Sequence, residues 1–340
     1  MKNVTDILDE NQKKQRPDLI DEIELLTPSE LVDEWSKAIE SDLDRPLTTC
    51  VPQLDKDLRN KLRGTVGAYI GYGGTRKSLL ALQACRENVT MYQNNCTGIY
   101  SNMEMAIFQF MSRLIDMSFE VEDHAYNSSW YYESEYKQGY KAQSDEGKER
   151  MEFVIKQLKE AFLNLYGKNL YINSKSSMRV EDYDKLVKKA KEKNKIVDML
   201  VIDGLSMMAG TGTETESYTT NSKELKDLAK HHNIYIPLIC HLSKGAEKHT
   251  REIQRFIRGS EKILDNVDFI IQMSLIVDQL KSEDNIQYLT DKGSIRFYNK
   301  RGSGNTMDVV YDFDKTKLLI IPTNEDLSNY ETRKKGKDVF

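Results

Sequence analysis

The segment GYGGTRKS, Gly71 to Ser78, joins a run of glycines to a lysine and a hydroxyl. Phosphate-binding loops follow the pattern G-x-x-x-x-G-K-[ST], and this segment matches it except that Arg76 stands at the second glycine. Such loops work because backbone N–H groups converge on phosphate oxygens at a helix N-terminus, where the dipole also favours negative charge. Gly71, Gly73, Gly74, Thr75, Arg76, Lys77, Ser78 and Leu79 form the candidate nucleotide-binding set. Lys77 would reach the β- and γ-phosphates of ATP, and Ser78 would ligate Mg²⁺. An arginine at position 76 still supplies its backbone N–H if its φ is negative; its side chain then lies outward or adds positive charge near the nucleotide.

Further residues downstream fit the same chemistry. Asp203 ends the apolar run VDMLVID, where a carboxylate emerging above a buried strand can anchor Mg²⁺ directly or through water. Glu104, in IYSNMEM, follows the strand after the glycine loop's helix and can polarise a water for attack on the γ-phosphate. Its plainer alternative is a solvated glutamate favoured by a helix start. His241 ends the next strand in LICHLSKGAEKHTR and could face the γ-phosphate as a sensor, although a lone histidine is more often structural. Lys300 and Arg301 sit at the corner of RFYNKRGSGNT. An arginine there could complete a neighbouring subunit's ATP site as a finger, the alternative being a solvated turn pair. Phe313, in the late strand DVVYDFDKTKLLII, joins the nucleotide-binding set.

The elements that must position these residues alternate. TVGAYIGYGGTRKSLLALQAC reads as strand, glycine turn and helix, and TGIYSNMEMAIFQFMSRLIDM repeats the form. MEFVIKQLKEAFLNLYG reads as helix, NLYINS as a short strand and RVEDYDKLVKKAKEKN as a charged surface helix. IVDMLVIDG is a continuous apolar strand, as expected where both faces of a parallel sheet are covered. NSKELKDLAKHHN is a helix and IYIPLICHLS the next strand, followed by a basic loop and helix and then late strands in VDFIIQMSLI, SIRFYNKRG and DVVYDFDKTKLLII. The pattern predicts an α/β domain with a mainly parallel core sheet. Between strand and helix, GTGTETESYTTNSK reads as a small, polar, mobile loop. Ahead of the core, TPSELVDEWSKAIESDL carries a capping box from Thr27 to Glu30, Pro28 at the first helical position, and an apolar stripe of Leu31, Val32, Trp35, Ala38 and Ile39. That helix packs on its own domain or docks on a neighbouring subunit.

Composition narrows the class. The 340 residues carry 49 basic and 54 acidic side chains, net −5, which does not indicate a globally basic nucleic-acid binder but leaves room for a basic groove. Residues 1–47 hold 6 basic and 13 acidic residues, so residues 1–26 read as a flexible acidic arm. Cys50, Cys85, Cys96 and Cys240 form no C-x-x-C pair, which suits a reducing compartment rather than a zinc site or disulfide framework. No apolar run approaches the roughly 18 residues of a membrane span and the N-terminus is not a signal peptide, so the expectation is cytoplasmic, with no membrane partner.

Taken in order, the motifs resemble the hexameric replicative DNA helicases, the DnaB-like group and phage primase-helicases, across roughly residues 47–322. The resemblance implies a RecA-like P-loop NTPase core with a mainly parallel twisted sheet flanked by helices. It places Glu104 as catalytic glutamate, Asp203 on the Mg²⁺-aspartate strand, His241 as phosphate sensor and Arg301 as the trans-acting finger. The basic loop after His241, with Lys244, Lys248 and Arg251, would contact single-stranded DNA in a central channel. GTGTETESYTTNSK could be a second channel loop, although its two glutamates suit phosphate contact poorly. The helix within 27–46 would be a linker helix on the adjacent subunit, 119–147 a polar tyrosine-rich insertion, and 323–340 a polar tail. The implied assembly is a homo-oligomeric, hexameric ring, in a bacterium or in the host cytoplasm if phage-encoded, with ATP as substrate, Mg²⁺ as cofactor and a separate primase or polymerase as a further partner.

Three departures stand out. Arg76 replaces a glycine; Asn299 holds the lysine place of the K-x-R corner, with Lys300 one residue late; and the short arm leaves no room for a primase or DnaB-type N-terminal domain. A RecA- or KaiC-like ATPase without unwinding, a catalytically attenuated nucleotide-binding scaffold, and a loader or transposition ATPase remain the alternatives.

Overall fold

The computed structural model describes residues 46–58, 61–91, 96–118, 145, 156, 159–167, 169–194, 196–210, 212–242, 262–278, 287–300, 306–315 and 317–327. The acidic arm, the linker helix, nearly all of 119–147, Lys244, Lys248, Arg251, Arg301 and the tail beyond 327 lie outside the described residues. In chain order the elements are α1 (Pro52–Asp57), β1 (Val66–Gly71), α2 (Lys77–Met91), β2 (Gly98–Asn102), α3 (Ile107–Ser118), β3 (Leu170–Asn173), α4 (Val180–Asn194), β4 (Met199–Asp203), α5 (Glu214–His232), β5 (Ile236–His241), α6 (Lys262–Asp265), β6 (Phe269–Asp278), β7 (Gln287–Asn299), β8 (Thr306–Asp314) and β9 (Leu319–Pro322). A further helical stretch spans 159–166.

Among the described residues the strands form one nine-stranded sheet, ordered β3-β2-β4-β5-β1-β6-β7-β8-β9. From β3 to β6 neighbours are parallel; β6 to β9 form an antiparallel meander. The α/β architecture with a mainly parallel core is the one the sequence pattern predicts. No helix of the described residues is long and apolar enough to cross a membrane.

The central strands are buried on both faces, and their side chains divide by parity as a period of two requires. Val66, Ala68 and Ile70 of β1, Leu200 and Ile202 of β4, and Ile236, Leu238 and Cys240 of β5 pack into one core with residues of α4 and α5. Tyr69 of β1, Tyr100 of β2, Met199 and Val201 of β4, and Ile239 of β5 pack into the other, with Leu79, Leu82 and Cys85 of α2 and Phe110 and Leu114 of α3. Continuing that alternation by two residues puts Asp203 and His241 on the α2 face, together with Tyr100. Parity therefore delivers three polar side chains to one face before any site is considered.

Helix α2 is held on both sides. Gln83 exchanges two hydrogen bonds with the backbone of Ile320 on β9, at 3.0 and 2.8 Å, and Asn88 bonds the backbone N–H and carbonyl of Thr48, each at 2.9 Å. The meander and the segment before β1 thus clamp the helix that opens at the glycine loop.

One expected loop is helix. Helix α5 begins at Glu214, well before Asn221, because Thr213 and Glu216 close a capping box: the Thr213 side chain accepts from the Glu216 N–H at 3.3 Å, and Glu216 accepts from the Thr213 N–H at 2.9 Å. Glu214 and Glu216 also lie where the helix dipole favours acid, and Tyr218 is buried in the first turns. The two glutamates that suit DNA phosphates poorly serve as helix-starting residues.

At the opposite ends of the strands from the glycine loop, buried ions fix the sheet. The Lys226 ammonium pairs with Asp268, whose Oδ2 accepts from the Val66 N–H at 2.8 Å, while Asp198 accepts from Arg63 at 2.5 Å and from the Thr97 N–H at 2.7 Å. Lys226 and Asp268 are both buried, so removing one partner strands the other's charge. Lys226→Met is expected to cost about 3–5 kcal/mol of unfolding free energy, read as a lowered denaturant midpoint with an unchanged slope.

Candidate nucleotide site

The glycine loop leaves β1 at Gly71 and enters α2 at Lys77. Gly71 is required by close approach: a Cβ there would fall 2.5 Å from Thr75 Oγ1 and 2.6 Å from the Met273 carbonyl oxygen on β6. Thr75 is buried and its hydroxyl donates to the Tyr72 carbonyl at 2.8 Å, bracing the turn, while Gly73 and Gly74 are exposed at its crest. Lys77 is buried and its Nζ donates to the same Tyr72 carbonyl at 2.6 Å. Burial pushes its ammonium down to about 8, against the opposing pull of Glu104 and Asp203. Leu79 is a core side chain, so its only means of meeting a phosphate is its backbone N–H.

Asp203 closes the base of the loop. It is fully buried; Oδ1 accepts from Ser78 Oγ at 2.9 Å and Oδ2 from the Tyr100 hydroxyl at 2.8 Å. Burial raises its pKa, and the two hydrogen bonds hold it back. A serine hydroxyl and a carboxylate this close fit a hard cation that prefers oxygen, and Mg²⁺ ordinarily takes one or two such protein ligands with phosphates and water completing its sphere.

Glu104 and His241, 137 positions apart, meet at 2.7 Å between Oε1 and Nε2. The hydrogen bond from His241 is the chief reason the Glu104 carboxyl lies below its ordinary value, with Lys77 also contributing against desolvation. The pair follows the ends of β2 and β5 on either side of β4. Local structure aims it. Asn102 bonds both the N–H and the carbonyl of Met105, at 3.1 and 2.8 Å, holding the turn that carries Glu104. Gly204, at φ 114°, leaves the room that Glu104 occupies, since a Cβ there would stand 3.0 Å from Glu104 Cγ.

Arg76 corrects the expectation. Its φ is 69°, in the left-handed region, not negative. The loop needs a glycine's backbone conformation at this position, and the arginine adopts it at a cost of about 1–2 kcal/mol. Nor does the side chain lie outward: its guanidinium carbon is 3.9 Å from the Phe313 ring centroid and 5.9 Å from that of Tyr311, both on β8. Cation–π contacts are worth about 0.5–2 kcal/mol, the size needed to offset the backbone strain.

Lys300 is not brought to its own loop. Its backbone N–H bonds the Asp268 carbonyl at 3.1 Å, its ammonium bonds the Leu264 carbonyl, and Asp265 lies 3.9 Å away. Asn299 pairs with Phe269, and Phe269 with Gly67 near the start of β1. Gly71, at the strand's other end, is about 13 Å further on at strand rise. Asn299 itself donates to Asp57 at 2.9 Å. Tyr100, Asn102 and Gly204 went unnoticed in the sequence, although the glycine directly after a strand-ending aspartate was a usable signal.

A mainly parallel sheet whose glycine loop runs straight into a helix, with a carboxylate and a glutamate–histidine pair at neighbouring strand ends, defines a phosphate-loop α/β protein with a RecA-like core. Similar folds occur among solved structures. One is an isolated ATPase domain (TM-score 0.64, 17% identity, 87% of this chain and 98% of that one). Another is a DnaB-like replicative helicase, solved to show its interactions with primase (TM-score 0.60, 17% identity, 94% of this chain and 72% of that one). No curated protein matches the sequence. The profile of the DnaB-like helicase C terminal domain matches residues 49–318, and the chain belongs to that family.

Two outcomes are expected. Tyr100→Phe removes a donor to Asp203 and should raise the Mg²⁺ concentration for half-maximal nucleotide binding about tenfold, with the thermal melt showing an intact fold. Bound phosphate favours charged Lys77, so nucleotide binding takes up a proton where free Lys77 is neutral. Affinity should then be flat below pH 8 and fall as pH rises above it, measured by titration calorimetry in buffers of different ionisation enthalpy.

Proposed function

We propose that the chain is an ATP-driven, ring-forming DNA helicase or translocase that acts in replication and hydrolyses ATP between subunits. The observation that carries the reading is the convergence of Lys77, Ser78, Asp203 and the Glu104–His241 pair at the ends of β1, β4, β2 and β5, in a chain of the DnaB-like helicase family. The loop N–H groups and Lys77 bind the triphosphate. When bound, Mg²⁺ neutralises phosphate charge and bridges the β- and γ-oxygens. Ser78 and Asp203 would hold it. Glu104, kept ionised by His241, orients the attacking water. Because its carboxyl is a weak base, its contribution is positioning and polarisation more than full proton removal.

Arg301 acts on the neighbour's nucleotide. Support comes from Lys300, the residue before it, which sits at the far end of the strands from its own loop. Single-stranded DNA runs through the ring against Lys244, Lys248 and Arg251, gripped by its phosphates and therefore without sequence preference and with strong salt dependence. The DnaB-like relative interacts with primase, and a primase is the partner class proposed here. The attenuated-scaffold reading draws on one observation, the left-handed Arg76.

Phosphate release with and without single-stranded DNA decides between them, alongside particle imaging. The expected result is DNA-stimulated turnover by closed rings, abolished in Lys77→Ala. Tight nucleotide binding with no turnover would favour the scaffold, and filaments on DNA would favour a RecA-like machine.

A further inference from the structure

The candidate groups are ordered along the sheet. Glu104, Asp203 and His241 follow β2, β4 and β5, all on one side of β1 in the strand order. Lys77 belongs to that side, since both carboxylates act on its charge. Arg76 goes the other way, laying its guanidinium on Phe313 of β8, beyond β6 and β7. A nucleotide whose γ-phosphate lies between Lys77 and Glu104 must lead its α-phosphate and nucleoside away from that end, toward the meander. Resting on the reading of the loop as an ATP site, we infer that Arg76 contacts the nucleotide at the part ATP and ADP share, the α,β-diphosphate and nucleoside.

The chemistry of the stack suits this role. A guanidinium is planar, with five N–H donors around its edge. A carbon 3.9 Å from a ring centroid commits the face to Phe313 and keeps donors at the rim, the geometry for charge-assisted bonds to phosphate oxygen. Gln83 of α2 holds the backbone of Ile320 on β9, and β9 pairs Ile320 with Phe313 itself. The platform under Arg76 is therefore fixed to the same helix that presents the loop. Phe313 acts as a positioning residue, keeping the guanidinium over the loop.

Arg76→Gly separates contact from tolerance, because glycine relieves the left-handed strain at position 76. A residue that is merely accommodated is replaced by glycine without loss; a nucleotide ligand is not. Mg²⁺-ATP and Mg²⁺-ADP are titrated against the full chain and against Arg76→Gly, Phe313→Ala and Lys77→Ala, each checked by thermal melting. The expected result is that Arg76→Gly weakens ATP and ADP by the same factor, about tenfold or more. Phe313→Ala should weaken both in the same ratio to a smaller extent. Lys77→Ala should instead lose more ATP affinity than ADP affinity, which reports the underlying site. Undiminished or tighter binding by Arg76→Gly, or a loss confined to ATP, overturns the role of Arg76 while leaving the site standing. Failure of the unaltered chain to bind either nucleotide overturns both.

Discussion

Asp203 has no solvent exposure, yet it must be ionised to serve a cation. Its two oxygens are spoken for by Ser78 on the first turn of α2 and by Tyr100 on the neighbouring strand. This three-way contact ties the glycine loop's helix to the sheet at the one place where phosphate and metal chemistry would occur. Burial opposes the charge and the two donors favour it, so the carboxylate depends on both. The arrangement requires β4 and β2 to be adjacent, and α2 to cover the face on which Asp203 emerges. Both conditions follow from a parallel sheet buried on two sides.

The rest of the site is built around the same low-polarity pocket. Lys77 is desolvated, which lowers its proton affinity, and the carboxylates of Glu104 and Asp203 restore part of it. Its ammonium rests on a carbonyl of its own loop, a weaker partner than a phosphate. Glu104 is steadied by His241 and given space by Gly204. Charge is thus held in position beforehand, the condition under which electrostatic stabilisation costs least during a reaction.

Arg76 shows how a local rule is broken and compensated. The loop demands a left-handed residue before Lys77, and glycine alone meets that without strain. The arginine meets it because β8 returns along the meander with Phe313 beneath the guanidinium. Nothing within the loop segment supplies this compensation; it comes from a residue 237 positions later.

Period and punctuation in the sequence determined much. Continuous apolar runs flanked by amphipathic segments specified the α/β class. The glycine loop's place between β1 and α2 followed from its flanks, and strand-end positions picked out Glu104, Asp203 and His241 singly. The early start of α5 was legible too, in the capping pair Thr213 and Glu216, but a run of small polar residues resembles a loop until Tyr218 is seen buried. Tertiary structure alone decided the pairings: Glu104 with His241, Ser78 and Tyr100 with Asp203, Arg76 with Phe313, Lys300 with the far end of the sheet. These contacts join residues tens to hundreds of positions apart, through a strand order that differs from chain order. Local periodicity carries the face on which a side chain lies, and not which strand or helix will lie beside it.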